Sequence, residues 1–319
     1  MKRLLQTVVS LLVAGSVMYY IYRDFPFSSI SHILLEQTDR LWIAAGMLAG
    51  AAAQFTRALR WRLLLRPLQI ECPLRNLSGS IFMSFALSLV IPRIGEVSRC
   101  ATLRKTDGVS FTRSIGTVVA ERIADTLVLL ALIAVVFCTQ SRLVYDFFNT
   151  GNQPADTARG SNLLWIIAAA ALLACVGIGG IMILRRNQRF KAGCDKFKEG
   201  FLSVKHSGKP VLFVFYTALI CFFNLLNLWL MFYAFPFTAQ LGADAALLAF
   251  CMIAFAMVVP TPNGAGPWHY VVMTSLIFYG ISPTDAGTFA LLVHALHTLT
   301  IIILGFVGMA IVRRSSINA

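Results

Sequence analysis

Four short runs concentrate the residues able to do chemistry in an otherwise apolar chain. They are Pro92-Arg93-x-Gly95-Glu96-x-x-Arg99, Glu121-Arg122-x-x-Asp125, Pro262-Asn263-Gly264-Ala265-Gly266 and His294-x-x-His297. Arginine offers a planar fork of donors that matches phosphate or carboxylate. On a helix, Arg122 and Asp125 stand three apart and Glu121 and Asp125 four apart, so the three share adjoining faces. Two readings fit them: an ion-pair cluster pinning helices together, or a binding site. Near Gly95 a new helix would begin, and the amides of its first turn would form an anion site beside Arg93 and Glu96. Asn263, Gly264 and Gly266 make either a tight turn or a second cradle of free amides. His294 and His297 sit at metal-like spacing, but no carboxylate or cysteine lies where a third ligand is needed, so no metal and no cofactor is expected.

The elements that must carry these residues are membrane helices. Of 319 residues, 58% are hydrophobic and only 13% charged, and the mean hydropathy is +0.75. A soluble domain is nearer half apolar and a quarter charged. The apolar runs are too long and too unalternating for barrel strands, so the expected class is all-α, a polytopic helical membrane protein. The formal charge of +13 reports orientation in such a protein rather than affinity for nucleic acid. Seven scattered cysteines form no CxxC pair and read as small core residues. Ionisable groups at membrane depth turn toward the bundle interior or a cavity, which favours the binding-site reading of Glu121, Arg122 and Asp125.

In chain order, Leu4–Tyr22 reads as an uncleaved anchor, and residues 24–39 as an amphipathic piece on the outer surface. Leu41–Leu65 is a span whose Arg57, Arg60, Arg62 and Arg66 mark a cytoplasmic exit. Leu77–Pro92 is short for a crossing, and the basic stretch behind it would then face outward, so a re-entrant hairpin with its tip at Pro92–Gly95 is expected. Thr112–Cys138, Asn162–Leu184, Val211–Phe235 and Ala286–Val312 are further spans, with a basic loop at Arg185–Lys209. Ala245–Tyr279, broken at Pro260–Gly266, is the second hairpin. About six spans and two hairpins result, with both termini cytoplasmic in an inner (plasma) membrane. Of 27 Lys and Arg, this leaves only Arg23, Arg40, Arg142 and Arg159 outside.

The halves also align. Val90-Ile91-Pro92 matches Val258-Val259-Pro260, and Gly108-Val109-Ser110-Phe111-Thr112 matches Gly280-Ile281-Ser282-Pro283-Thr284. In that second frame His294 and His297 fall on Arg122 and Asp125, while upstream, in the frame of the first match, Arg57-x-x-Arg60 lies within one residue of Asn224-x-x-Asn227. Span, hairpin, span in each half, entered from opposite sides, is an inverted repeat, a transporter arrangement whose site lies at the interrupted segments. One membrane domain is expected: residues 1–40 as anchor and outer segment, 41–138 as first repeat, 139–210 as connecting span and loop, and 211–319 as second repeat. His294 and His297 then read as polar bundle residues, as protonatable partners of Glu121 or Asp125, or as lipid-headgroup contacts.

Enzyme signatures are lacking: no P-loop, no G-x-S-x-G and no H-E-x-x-H occurs. The first three runs, at their spacing, resemble the lysylphosphatidylglycerol synthase transmembrane-region family, also called flippase-like, over nearly the whole chain. Multidomain members join such a membrane part to a soluble aminoacyl-transferase. This chain ends seven residues after the last span, so the resemblance implies the lipid-translocating part without an enzyme: a flippase or scramblase-like transporter of an anionic or aminoacylated phospholipid or a related lipid-phosphate. By resemblance the substrate-binding set is Arg93, Glu96, Arg99, Glu121, Arg122, Asp125, Gly264 and Gly266, with Asn263 standing where the family more commonly has Gly. His294 and His297 join that set from the repeat. The implied partners are the membrane, a phospholipid or lipid-phosphate and a lipid-modifying enzyme, with no nucleic acid. The alternative is a membrane-embedded enzyme or synthase partner acting on a polyprenyl-phosphate or glycolipid.

Overall fold

The computed structural model describes residues 2–23, 25, 27, 33, 38–68, 70–91, 94–139, 209–257, 259 and 261–317. Arg93, the expected span Asn162–Leu184 and the basic loop up to residue 208 lie outside the described residues. Among the described residues the regular structure is helical, without strands. The helices are α1 (Lys2–Tyr22), α2 (Arg40–Leu65), α3 (Leu74–Val90), α4 (Ile94–Asp107), α5 (Phe111–Thr139), α6 (Pro210–Tyr233), α7 (Ala243–Ala256), α8 (Pro267–Phe278) and α9 (Pro283–Ile317). At 26, 29, 24 and 35 residues, α2, α5, α6 and α9 exceed the length a bilayer requires. Helices α3, α4, α7 and α8, at 17, 14, 14 and 12 residues, fall short of it.

Local chemistry explains the breaks. Ile91, which precedes Pro92, is extended (φ −123°, ψ 112°), as the following proline ring requires. Thr261, before Pro262, is extended for the same reason (φ −106°, ψ 154°). The aligned glycines Gly108 and Gly280 both take positive φ, 65° and 84°, just ahead of α5 and α9. Ser282 caps α9: the Asp285 N–H donates to the Ser282 hydroxyl at 3.1 Å, and that hydroxyl donates back to the Asp285 carboxylate at 2.8 Å.

The short helices pack as antiparallel pairs. Asn76 at the start of α3 donates to Asp107 at the end of α4 (2.8 Å), and the Gly95 N–H donates to Ser88 near the break (3.1 Å). Asp244 and Tyr279 tie the outer ends of α7 and α8 in the same way. Each half of the chain builds its own apolar core. One gathers Ala58, Trp61, Leu77, Ile81, Leu103 and Val118 from α2 to α5, and the other Phe232, Ala246, Val272, Phe289 and Val293 from α6 to α9.

Small residues join the halves, because only they let helix backbones approach closely. Asn227 of α6 donates to the Gly46 carbonyl of α2 at 2.5 Å, so this asparagine bridges helices. Helix α9 lies on α3 through Gly305 and Gly308, and a Cβ on Gly308 would meet the Gly79 carbonyl at 2.6 Å and the Met83 nitrogen at 2.8 Å. Gly308→Leu is therefore expected to lower stability in detergent by about 1–3 kcal/mol through overpacking. Gly116, with nothing within 4 Å of its would-be Cβ, is the comparison. Gly116→Ala should be neutral or stabilising by up to about 1 kcal/mol, and thermal unfolding of the two variants checks both.

Candidate functional site

Most of the predicted charges converge where α2, α4 and α5 meet. Glu121 and Arg60 are both fully buried, and the Arg60 Nε lies 3.5 Å from the Glu121 carboxylate. Arg99 of α4 donates to the other Glu121 oxygen at 2.5 Å while its guanidinium stacks 4.6 Å above the Trp61 ring. Trp61 is held in turn by its indole N–H, which donates to Thr117 at 2.8 Å. Asp125 accepts from Arg60 at 2.5 Å and Arg57 at 3.0 Å and forms an ion pair with Arg122, three positions back on its own helix, at 2.8 Å. Arg122 reaches on to Glu96, 3.5 Å away at the exposed rim. Arg60 also donates to Thr217 of α6 (3.2 Å).

This arrangement adds Arg57 and Arg60 to the site, from which the sequence reading leaves them out. Beyond any part in marking the end of the span, these two side chains are turned into the bundle: Arg60 has no exposed side-chain surface and Arg57 only 12%. Two carboxylates on α5 draw them inward, because a buried charge needs an opposite one. Their three-residue spacing on one helix face, matched to the Asn224-x-x-Asn227 pair, was the available signal. The expectation that His294 and His297 partner Glu121 or Asp125 is corrected: the ion-pair partners of both acids, among the described residues, are arginines.

A cavity of about 250 Å³ opens beside the cluster. From the first break it is lined by Ser88, Gly95 and Glu96, from the second by Thr261 and Asn263, and between them by Arg57, Arg99, Arg122 and His297. Buried donors at its wall have no hydrogen-bond partner among the described residues: the Nε groups of Arg57, Arg99 and Arg122, and the Thr261 hydroxyl. Glu121 and Asp125 stand behind this wall and hold the arginines.

The second break folds on itself. Asn263 adopts a left-handed conformation (φ 51°, ψ 23°) that Gly takes freely, and Asn is among the few other residues that tolerate it. Its side chain donates to Thr298 (2.9 Å), and His294 Nε2 lies 3.1 Å from its carbonyl. The amides of Gly264, Ala265 and Gly266 already donate to Thr261, Pro262 and the His269 ring at 3.3, 2.9 and 3.3 Å. They are therefore no open anion cradle, which corrects that reading: a tip among apolar helices satisfies its amides internally. At the first tip the Gly95 amide is likewise engaged, by Ser88. Gly264, Gly266 and His294 thus shape the tip and do not line the cavity, and Gly266 packs against Ala14 and Val17 of α1. His269, absent from the predicted set, packs its ring 4.4 Å from that of His294. No group of three or more His, Cys, Asp or Glu that could hold a metal occurs among the described residues.

An all-helical bundle with a paired ionic cluster at the meeting point of two broken segments is the setting in which relatives become informative. The family model described as the lysylphosphatidylglycerol synthase TM region matches residues 7–305, and the chain belongs to that family, a family of membrane proteins. It is also similar to the UPF0104 membrane protein MJ1595 of Methanocaldococcus jannaschii, with 22% identity over 98% of this chain and 96% of that protein.

Removing a buried partner and a rim partner should have unequal consequences. Glu121→Gln leaves Arg60 and Arg99 short of a buried countercharge and is expected to cost about 3–5 kcal/mol. Glu96→Gln, at a side chain 49% exposed, should cost at most about 1 kcal/mol. Denaturant unfolding in detergent micelles checks the contrast.

Proposed function

We propose that the protein carries a phosphate-bearing lipid between leaflets as a flippase or scramblase-like transporter. Its substrate class is an anionic or aminoacylated phospholipid or a related lipid-phosphate. The observation that carries this reading is the cavity, where unpartnered arginine and threonine donors sit between the two broken segments. Forked guanidinium donors suit phosphate oxygens, while the exposed apolar faces of the surrounding helices suit acyl chains that remain in the bilayer. Glu96, Arg99, Arg122, Asn263 and His297 would face the headgroup, with Glu121 and Asp125 setting the arginines. No covalent step is assigned to these groups.

In this reading, α3/α4 and α7/α8 are re-entrant hairpins from opposite faces of an inner membrane. Helices α1, α2, α5, α6 and α9, with residues 162–184, make six spans and leave both termini in the cytoplasm. The matched turns at Gly108 and Gly280 and the separate core of each half support an inverted repeat, within which the halves rock about the site. The basic loop up to residue 209 would serve a lipid-modifying enzyme partner.

The test is lipid movement in proteoliposomes with Arg122→Ala. Its side chain is 42% exposed, so the fold should survive while movement falls tenfold or more. Unchanged rates in a folded variant would remove Arg122 from the mechanism.

A further inference from the structure

The carboxylates of the cluster are committed to arginines. Asp125 is shared by Arg57, Arg60 and Arg122, Glu121 by Arg60 and Arg99, and Glu96 meets Arg122. Among the described residues, the one acid lining the cavity, Glu96, already meets Arg122, and Glu121, behind the wall, is ion-paired to Arg60 and Arg99 although its Oε1 accepts no hydrogen bond. An ammonium entering the cavity would also meet a surplus of its own sign, since among the described residues of the cluster four guanidiniums face three carboxylates and leave one formal positive charge.

That surplus sits beside donors in want of an acceptor. The Arg57 and Arg99 Nε groups and the Thr261 hydroxyl are buried without a hydrogen-bond partner among the described residues, and Arg99 and Thr261 are only 4% and 6% exposed. All three residues line the cavity. Buried donors are normally satisfied, and an uncompensated charge at membrane depth is costly. An acceptor group bearing one negative charge answers both demands. A dianion would reverse the surplus, and a cationic substituent on the ligand would restore it.

Resting on the translocation reading above, we infer that the cavity selects a monoanionic phosphodiester headgroup with a neutral polar substituent. It rejects the same headgroup once an aminoacyl cation is attached. The phosphodiester oxygens accept from Arg57, Arg99 and Thr261. Glu121 and Asp125 are positioning residues for arginine, not receptors for a headgroup ammonium. Glu96 at the rim sets the size of the positive surplus.

The experiment compares three lipids with the full chain in proteoliposomes: phosphatidylglycerol, its lysyl ester and phosphatidic acid, each tail-labelled. Native mass spectrometry of the protein with an equimolar mixture of the unlabelled three reads binding independently of movement. Phosphatidylglycerol should move at least tenfold faster than the lysyl ester and dominate the bound fraction. Glu96→Gln, which adds one to the positive surplus, should raise phosphatidic acid relative to phosphatidylglycerol several-fold in both readouts. A lysyl ester that moves or binds as well as phosphatidylglycerol would overturn this selectivity and leave transport standing. Selective binding of phosphatidylglycerol with no lipid moving faster than in protein-free vesicles would uphold the selectivity and overturn the transport reading. A Glu96→Gln ratio unchanged from wild type would overturn the charge-balance account.

Discussion

A guanidinium with no route to water must have its charge answered by protein, and Arg60 imposes that condition on its surroundings. Its partners come from Glu121 and Asp125 on α5 and Thr217 on α6, so two helices are fixed relative to α2 at one point. Arg99 extends the constraint to α4 through Glu121 and is itself oriented by the Trp61 face. Pairs of this kind add little net stability compared with apolar packing, but breaking one is severe. Their effect here is geometric: they leave few arrangements in which every buried charge is matched.

Around that point the helices are brought close by the absence of side chains rather than by their presence. Gly46 and Gly50 admit Asn227, and Gly305 and Gly308 admit α3 at Gly79. In a bilayer the lipid is as apolar as leucine, so close backbone approach replaces the hydrophobic drive of a soluble core. The consequence is that both broken segments reach one cavity, with Gly95 and Glu96 on one side and Thr261 and Asn263 on the other.

Chemistry at the cavity is divided by depth. The fully buried Glu121 and the partly buried Asp125 hold arginines in place, and arginines line the cavity with donors still unpartnered. The rim carries the half-exposed pair Glu96 and Arg122. Under the proposed function, a lipid headgroup would meet donors already held in place, which is the advantage of a preorganised site.

Much of this was legible in the chain. Apolar composition and run lengths determined an all-helical membrane class, and the breaks at Pro92–Gly95 and Pro260–Gly266 determined where the helical runs are interrupted. The Glu121, Arg122 and Asp125 spacing announced an intrahelical ion pair. What only the tertiary structure decided was partnership across helices. Arg57 and Arg60 look, in one dimension, like charges at the end of a span, and nothing local to them reveals the carboxylates of Glu121 and Asp125 on a helix far along the chain. The tip amides look free until Ser88, Thr261 and His269 are folded against them. Local sequence dictates backbone conformation because sterics act between neighbours, whereas the pairing of a buried charge depends on which helices meet.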